Sequence, residues 1–251
     1  MSARDRFFKT LSEGKTDDSL LFIPITMMLA ADEINTAYKE YATDYRVHAR
    51  GQAAIAERFD IDHVSAVSDP ATEAADLGAD VVFFDNQPPA INEANALLSD
   101  KAFLGNLSIL KPEDGKRMSN RLEVVRTLKK ELGREKIIEG WVEGPTSEAS
   151  DLRGINNLML DLVMDPDFVR ELMDFVCEVN IELAKAQIWA GADIVGVGDA
   201  ASSLVGPELY NSIIKEYQKR YIDEIHKYGG LVRLHICGNI EPILPNMADL
   251  G

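Results

Sequence analysis

This chain has few residues of the kinds that hold disulfide frameworks or metal clusters. Its 251 residues include only 2 cysteines, 4 histidines and 2 tryptophans. The two cysteines, Cys177 and Cys237, are too few for the disulfide network of a small secreted protein. In a reducing compartment, each is therefore expected to be a core residue, a nucleophile or a metal ligand.

Long apolar runs and an excess of positive charge are also missing. No apolar stretch approaches the roughly 20 residues that span a bilayer, and the charged start MSARDRFFKTLSEGKTDD (1–18) lacks the apolar core of a signal peptide. There are 42 acidic and 26 basic residues, a formal net charge of -16, which disfavours binding to nucleic-acid phosphates or anionic membranes. We therefore expect a cytoplasmic protein that binds neither nucleic acid nor membrane.

Six apolar, β-branched runs predict buried strands. Helical patterns with apolar residues three and four apart lie between several of them, and a glycine in LGAD (77–80) and in AGAD (190–193) marks a helix end. This alternation predicts a parallel sheet in one α/β domain. The six runs are LLFIPI (20–25), HVSAVS (63–68), DVVFFD (80–85), KIIEGWVEG (136–144), DIVGVGD (193–199) and LVRLHICG (231–238).

A (β/α)8 TIM barrel is the architecture that this order of elements favours. Eight strands are required and only six are predicted. We therefore expect a single barrel domain over residues 1–251 that lacks its C-terminal strands. A doubly wound open sheet, which needs no further strands, is the alternative.

The last predicted strand ends in a histidine and a cysteine. Because side chains alternate along a strand, Arg233, His235 and Cys237 share one face. Parallel α/β folds build their sites at the C-terminal ends of strands, and Zn2+ accepts imidazole nitrogen together with thiolate sulfur. His235 and Cys237 are therefore predicted metal ligands, and the alternative is a core histidine beside a core thiol. Cys177 lies in a helical pattern and is predicted to be structural.

Three carboxylates at predicted strand ends are candidate catalytic groups. Glu143 precedes the turn at 144–145, Asp199 ends the run DIVGVGD, and Asp69 follows HVSAVS. Glu143 could ligate a metal ion or take a proton, and Asp199 is expected to face the mouth of the barrel. The alternatives are a salt-bridged loop carboxylate for Glu143 and a helix cap for Asp69.

Two further patterns are interpreted as structural. GVGDAA (196–201) mimics a dinucleotide-binding turn, but Asp199 stands where a pyrophosphate needs neutral amide donors, so no nucleotide site is expected. The remaining histidines, His48, His63 and His226, have no partner nearby in sequence and are expected at the surface or at helix caps.

Several phrases, taken in order, resemble the uroporphyrinogen decarboxylase superfamily, and they are most similar to its branch of cobamide-dependent methyltransferases. The resemblance covers nearly the whole chain and implies a (β/α)8 barrel. In that branch a His-x-Cys pair and a later cysteine bind zinc, which implies that His235 and Cys237 are zinc ligands. The later cysteine has no counterpart here, in agreement with the missing strands. The phrases are DHVSAVSDPATEAADLGAD (62–80), WVEGP (141–145), RGINNLMLDLVMDPDFVRELM (153–173), GADIVGVGDAASSLVGPELY (191–210) and LHICGNI (234–240).

The resemblance implies a zinc-dependent methyltransferase. It would move a methyl group between a corrinoid (methylcobamide) carried on a partner protein and a small-molecule thiol or a similar acceptor or donor. Asp69, Glu143 and Asp199 would tune the metal or orient the acceptor.

Two alternative functions remain. In the decarboxylase branch, the counterpart of Asp69 binds the substrate pyrroles, and an arginine-rich segment after the first strand holds the substrate carboxylates. Here that segment reads ITMMLAADEINTAYKEY (25–41), without arginine and with several acids, which disfavours a polycarboxylate substrate. A decarboxylase is therefore the second hypothesis, and a non-catalytic corrinoid- or tetrapyrrole-binding subunit is the third.

Overall fold

The computed structural model describes residues 1–14 and 20–251. Its strands are β1 (His63–Ser65), β2 (Val81–Val82), β3 (Ala90–Ile91), β4 (Ile137–Glu143), β5 (Ile194–Gly198) and β6 (Leu231–His235). Its α-helices are α1 (Ala3–Glu13), α2 (Met27–Glu33), α3 (Tyr38–Thr43), α4 (Tyr45–Arg58), α5 (Thr72–Leu77), α6 (Lys116–Leu132), α7 (Pro145–Arg153), α8 (Ile155–Met164), α9 (Pro166–Ala190), α10 (Pro207–Leu209), α11 (Lys215–Lys227) and α12 (Leu244–Met247). Short 3-10 turns occur at Glu93–Asn95, Lys101–Asn106 and Ala200–Leu204, and a π-helical segment, Tyr210–Ile214, joins α10 to α11.

Four strands form one parallel sheet in the order β1-β4-β5-β6. Their order in space follows their order in the chain, whereas a doubly wound sheet reverses its strand order at a switch point. The sheet is therefore wound in one direction, as in a (β/α)8 barrel. The predicted α/β fold with a parallel sheet is confirmed, and the described strands form an open sheet rather than a closed ring. Every residue of β4 and β5 is buried, while β6 at the edge is half-buried.

Two of the six strand predictions are wrong in part or in full. Residues 20–25 are not in a strand. Phe22 exchanges hydrogen bonds with Asp62 beside β1, but Pro24 has no N–H with which to continue a ladder. In the run 80–85 only β2 is a strand, and it pairs antiparallel with β3. The turn DNQPPA (85–90) folds the chain back, so this run stays outside the parallel sheet.

The predicted glycine signals at helix ends are confirmed. Gly78 follows α5 with φ 104°, and Gly191 follows α9 with φ 116°. This left-handed conformation costs glycine little because it has no Cβ. At the other end of α9, Asp165 accepts a hydrogen bond from the backbone N–H of Phe168, and Pro166 is the first helical residue. Within the described ranges, no helix is both long and apolar enough to cross a membrane.

The core lies between the sheet and its helices. The larger apolar cluster includes Val142 of β4, Val195 of β5 and Leu172 of α9, and a smaller one joins α2, α3 and α4 to β1. Cys177 of α9 is fully buried in the larger cluster, where burial raises the pKa of its thiol. A structural role for Cys177 therefore agrees with its surroundings.

The expected surface positions of two histidines are wrong. His48 is 1% exposed, its Nε2 lies 3.0 Å from the backbone oxygen of Ser65, and its ring stacks on Tyr41. Burial lowers the pKa of His48 to about 3. His63 is also buried, at the start of β1. His226 is exposed, as expected. The helical pattern of α4 does not by itself show that this helix packs on β1, which is what buries His48.

Candidate functional site

The C-terminal ends of β4, β5 and β6 lie side by side. The backbone register places Glu143 opposite Gly198 and Gly198 opposite His235. Asp199 and Cys237 follow within two residues of these strand ends. Residues more than ninety positions apart in sequence therefore share one edge of the sheet, where barrel enzymes build their sites.

His235 and Cys237 are in contact at this edge. The Nε2 atom of His235 lies 3.1 Å from the Sγ atom of Cys237, and Cys237 is exposed. Burial, with the charge of Arg233, lowers the pKa of His235. Its imidazole is therefore neutral at neutral pH, which is the form that binds metals. The structure thus brings the two predicted ligands together.

The chemistry of this pair fits two ligand positions of a zinc ion, because imidazole nitrogen and thiolate sulfur are both ordinary zinc ligands. Within residues 1–14 and 20–251, no group of three or more His, Cys, Asp or Glu side chains is arranged to hold a metal ion. His235 and Cys237 are the residues that would hold the zinc implied by the family resemblance.

Trp141 lies across β5 and orients Glu143. A Cβ atom at Gly196 would be 2.3 Å from Cε3 of the indole, and one at Gly198 would be 2.8 Å from Cζ2. The glycines of the phrase GVGD therefore make room for the indole. The indole Nε1 donates to Oε1 of Glu143 at 2.9 Å, and the ring centroid is 6.2 Å from that of His235. The indole thus connects the candidate acid to the candidate metal pair.

Four carboxyl groups form an acidic cluster behind the strand ends: Glu73, Glu143, Glu148 and Asp151. Glu73 and Glu148 are fully buried and Glu143 is 6% exposed. Arg121 contacts the cluster by donating to Oε2 of Glu73 at 3.1 Å. Both oxygens of Glu148 and Oδ2 of Asp151 are buried without a hydrogen-bond partner. Burial and then the neighbouring carboxylates raise the pKa of each of the four groups.

Sequence reasoning missed three members of this cluster. Glu73 belongs to α5, which follows β1, whereas Glu148 and Asp151 belong to α7, which follows β4. The spacing of three in PTSEASD (145–151) places Glu148 and Asp151 on one face of α7, a signal that was available. The approach of α5 to α7 depends on the pairing of β1 with β4, which no local pattern reveals.

Asp69 is held by an arginine. Its two oxygens accept from Nη1 and Nη2 of Arg117 at 3.0 and 2.6 Å. Ser68 Oγ donates to Oδ2 at 2.7 Å and the backbone N–H of Ala71 donates to Oδ1 at 3.1 Å. Four donors occupy the lone-pair positions of a carboxylate. A catalytic role for Asp69 stays a prediction, and these contacts favour positioning.

Asp199 is similarly enclosed. It is fully buried and accepts from the Ser147 backbone N–H at 2.8 Å, from Ser202 Oγ at 2.7 Å and from Gln218 Nε2 at 2.6 Å. These bonds join α7, the turn after β5 and α11. A catalytic role for Asp199 likewise stays a prediction, and its contacts favour holding α7 against the end of β5.

A cleft of about 390 Å³ opens beside the strand ends. Cys237 and Glu143 both line it, so the structure places one predicted ligand and one predicted acid in the same accessible space. Asp69 and Asp199 do not line the cleft, but their neighbours Pro70 and Ala200 do. Other side chains that face the cleft are Glu93, Ser147, Ser150, Asp151, Ser203 and Leu204.

Known proteins with similar sequences include two kinds of enzyme. A methylcobamide:CoM methyltransferase (MtaA) of Methanosarcina barkeri is 30% identical over 132 residues, which are 52% of this chain and 38% of that protein. A methylcobamide:CoM methyltransferase (MtbA) of Methanosarcina mazei is 32% identical over 155 residues, 61% of this chain and 44% of that protein. A uroporphyrinogen decarboxylase of Prochlorococcus marinus is 26% identical over 201 residues, 77% of this chain and 56% of that protein. The chain thus matches about two fifths to just over half of the length of these relatives.

A solved structure and a family model cover the whole chain. The fold matches that of a methyltransferase from Methanosarcina mazei with a TM-score of 0.89 at 21% identity, over 100% of this chain and 74% of that one. The family model for uroporphyrinogen decarboxylase (URO-D) matches residues 2–251. This protein belongs to the uroporphyrinogen decarboxylase (URO-D) family.

Proposed function

We propose that this protein is a corrinoid-dependent methyltransferase in which His235 and Cys237 hold zinc and the cleft receives the methyl acceptor. The observation that supports the proposal is the 3.1 Å contact between His235 Nε2 and Cys237 Sγ, with Cys237 facing the cleft. The similarity to methylcobamide:CoM methyltransferases agrees with it. Residues 1–251 are proposed to act as a single domain.

The reaction is a transfer of a methyl group to sulfur. The S–H group of the acceptor loses its proton, an S–CH3 bond forms, and the bond between the methyl carbon and the corrinoid of the partner protein breaks. The electron pair of that broken bond stays on the corrinoid. A zinc ion at this site would lower the pKa of the acceptor thiol, so that a thiolate is available at neutral pH.

Glu143 is the side chain best placed to handle the proton. Its Oε1 is occupied by the indole N–H of Trp141, which leaves Oε2 to accept the proton of the acceptor, or to return it in the reverse direction. Burial, with the nearby Glu73 and Asp151, raises the pKa of Glu143 well above its usual value, so this carboxyl group holds a proton more readily than an exposed glutamate does. Asp69 and Asp199 are proposed to position the surrounding elements.

Zinc analysis of the purified protein tests the ligand assignment before any turnover is measured. We expect bound zinc in the wild type and its loss in His235→Ala and in Cys237→Ala. The matched controls are His226→Ala, at an exposed histidine, and Cys177→Ala, which removes the other thiol. Methyl transfer from methylcobalamin to thiols, followed by visible absorbance, should be lost in the same two variants. Zinc retained by both would overturn the assignment.

The two alternative functions give different results in the same assays. A decarboxylase would be active without metal and would release CO2 from uroporphyrinogen. A binding subunit would retain a corrinoid without turnover. The pairing of Asp69 with Arg117 leaves that carboxylate no free oxygen for substrate pyrroles, which is why methyl transfer is preferred here.

A further inference from the structure

The cleft carries acidic groups and lacks basic ones. Glu93, Glu143 and Asp151 line it, whereas in the described part of the chain no lysine, arginine or histidine does. Its other polar lining groups include the hydroxyls of Ser147, Ser150 and Ser203. A space lined by one sign of charge repels ligands of that sign and concentrates those of the opposite sign. The lining therefore disfavours an anionic ligand.

The acidic cluster behind this lining lacks a full set of counter-charges. Glu148 is fully buried and both of its oxygens lack partners. Burial, with the nearby Glu73, Asp151 and Glu143, raises its pKa. Arg121 bonds to Glu73, and Arg117 is already paired with Asp69. Buried carboxyl groups without partners are costly. Burial raises the pKa of Glu143, Glu148 and Asp151. A positive charge that enters the cleft would favour the ionised form of these groups and would be stabilised by it.

A small metal ion is a poor candidate for that charge. The carboxylates of the described residues do not converge in threes as metal ligands do. The cleft has a volume of about 390 Å³, within the range for small organic ligands. Apolar contacts are available to such a ligand from Ile155, Ala201 and Leu204. An organic cation therefore fits both the size and the charge of the space.

We propose that the methyl acceptor of this protein is a small thiol that bears an ammonium group, with the sulfur directed to Cys237 and the ammonium group held by Asp151 and Glu93. This inference rests on the proposed methyl transfer and names its substrate class. The ammonium group takes no part in the bond changes. It places the thiol and pairs with the acidic side chains of the cleft, whereas the zinc ion proposed at His235 and Cys237 would bind the sulfur.

Three two-carbon thiols test the substrate class. Cysteamine, 2-mercaptoethanol and 2-mercaptoethanesulfonate share one chain length and differ in tail charge. With rates corrected for the pKa of each thiol, we expect kcat/KM to fall in that order, by roughly 10-fold or more from first to last. Glu93→Gln, at an exposed residue of a surface turn, and Asp151→Asn should each narrow the difference. Glu131→Gln, at an exposed position near the end of α6 away from the cleft, is the control.

A chemical probe of Cys237 tests the charge of the cleft without any turnover. Cys237 is exposed and Cys177 is buried, so charged methanethiosulfonate reagents should modify Cys237 in chelator-treated protein, as mass spectrometry can verify. The rate ratio of the trimethylammonium reagent to the sulfonate reagent, divided by the same ratio for a free thiol, does not depend on the thiolate fraction. We expect this normalised rate ratio to be roughly 10 or more in low salt. It should decrease in high salt and in the variants Glu93→Gln and Asp151→Asn.

The outcomes separate this inference from the proposed function. Three results would each overturn the proposal of a cationic acceptor: a rate ratio near one, a rate ratio that neither variant changes, or faster turnover of the sulfonate thiol than of cysteamine. A high, variant-sensitive ratio with no turnover of any thiol refutes methyl transfer to thiols and leaves the cation preference of the cleft standing. A high ratio with cysteamine preferred supports both.

Discussion

Replacing Asp69 by alanine would leave a buried guanidinium group without its counter-charge. Asp69 is 1% exposed and Arg117 is 8% exposed, and two short hydrogen bonds, of 3.0 and 2.6 Å, join them. Removing one partner of a buried ion pair costs more than the pair itself contributes. We therefore expect Asp69→Ala to lower the free energy of unfolding by about 3–5 kcal/mol. At about 2–4 °C per kcal/mol for a chain of this length, Tm should fall by roughly 10 °C.

Urea unfolding followed by circular dichroism measures this loss, and three further variants sharpen it. Asp69→Asn keeps the shape and part of the hydrogen bonding, so its loss should be smaller. The double variant Asp69→Ala/Arg117→Met removes both charges and should lose less than the sum of its two single variants. Asp174→Ala breaks a surface pair with Arg220, whose side chains are 61% and 38% exposed, and should change stability by less than about 1 kcal/mol.

One result would refute the positioning role of Asp69. If Asp69→Ala folded with a loss below about 1 kcal/mol and yet had no activity, the carboxylate would have to touch the substrate. That result would favour the role expected from the decarboxylase branch. A large loss of stability in Asp69→Ala, with activity retained by Asp69→Asn, would instead agree with the contacts to Arg117.

Three other perturbations have expected outcomes. Gly196→Val would force a Cβ atom into the indole of Trp141 and should lower the free energy of unfolding by about 1–3 kcal/mol. In a Trp189→Phe background, acrylamide quenching of Trp141 fluorescence should increase. Unchanged quenching would contradict the contact between Gly196 and the indole. Folded Glu148 keeps its proton to higher pH than the unfolded chain, so its contribution to stability falls as pH rises from 4.5 through the raised folded pKa. Glu148→Gln should therefore increase the free energy of unfolding by about 1–3 kcal/mol at high pH and by less near the usual pKa of glutamate. An equal increase at the two pH values would argue against a raised pKa of Glu148. His48, with a pKa of about 3 because of burial, should show pH-independent imidazole NMR signals between about pH 5 and pH 8, where an ordinary histidine titrates.

Much of the fold follows from local patterns. The runs at 63–68, 136–144, 193–199 and 231–238 all contain strands of the parallel sheet, because β-branched apolar residues between helical segments favour buried strands. The runs at 20–25 and 80–85 have the same composition and a different outcome. Pro24 interrupts one ladder and a turn with two prolines redirects the other chain segment. Composition alone does not reveal with which other strand a segment pairs.

The candidate site, like the fold, could be predicted from the sequence only in part. Sequence alternation places His235 and Cys237 on one face at a strand end, and in the structure their Nε2 and Sγ atoms are 3.1 Å apart. That the pair binds a metal ion stays a prediction. The acidic cluster depended on the tertiary structure. Its carboxyl groups come from α5, β4 and α7, and only the pairing of β1 with β4 brings them close. The tertiary structure also decides which carboxyl groups are hydrogen-bonded. Asp69 and Asp199 accept hydrogen bonds from several donors, whereas the Glu148 oxygens accept none. Local spacing determines which side chains share a strand or helix face, whereas burial and counter-charges depend on which elements pack together.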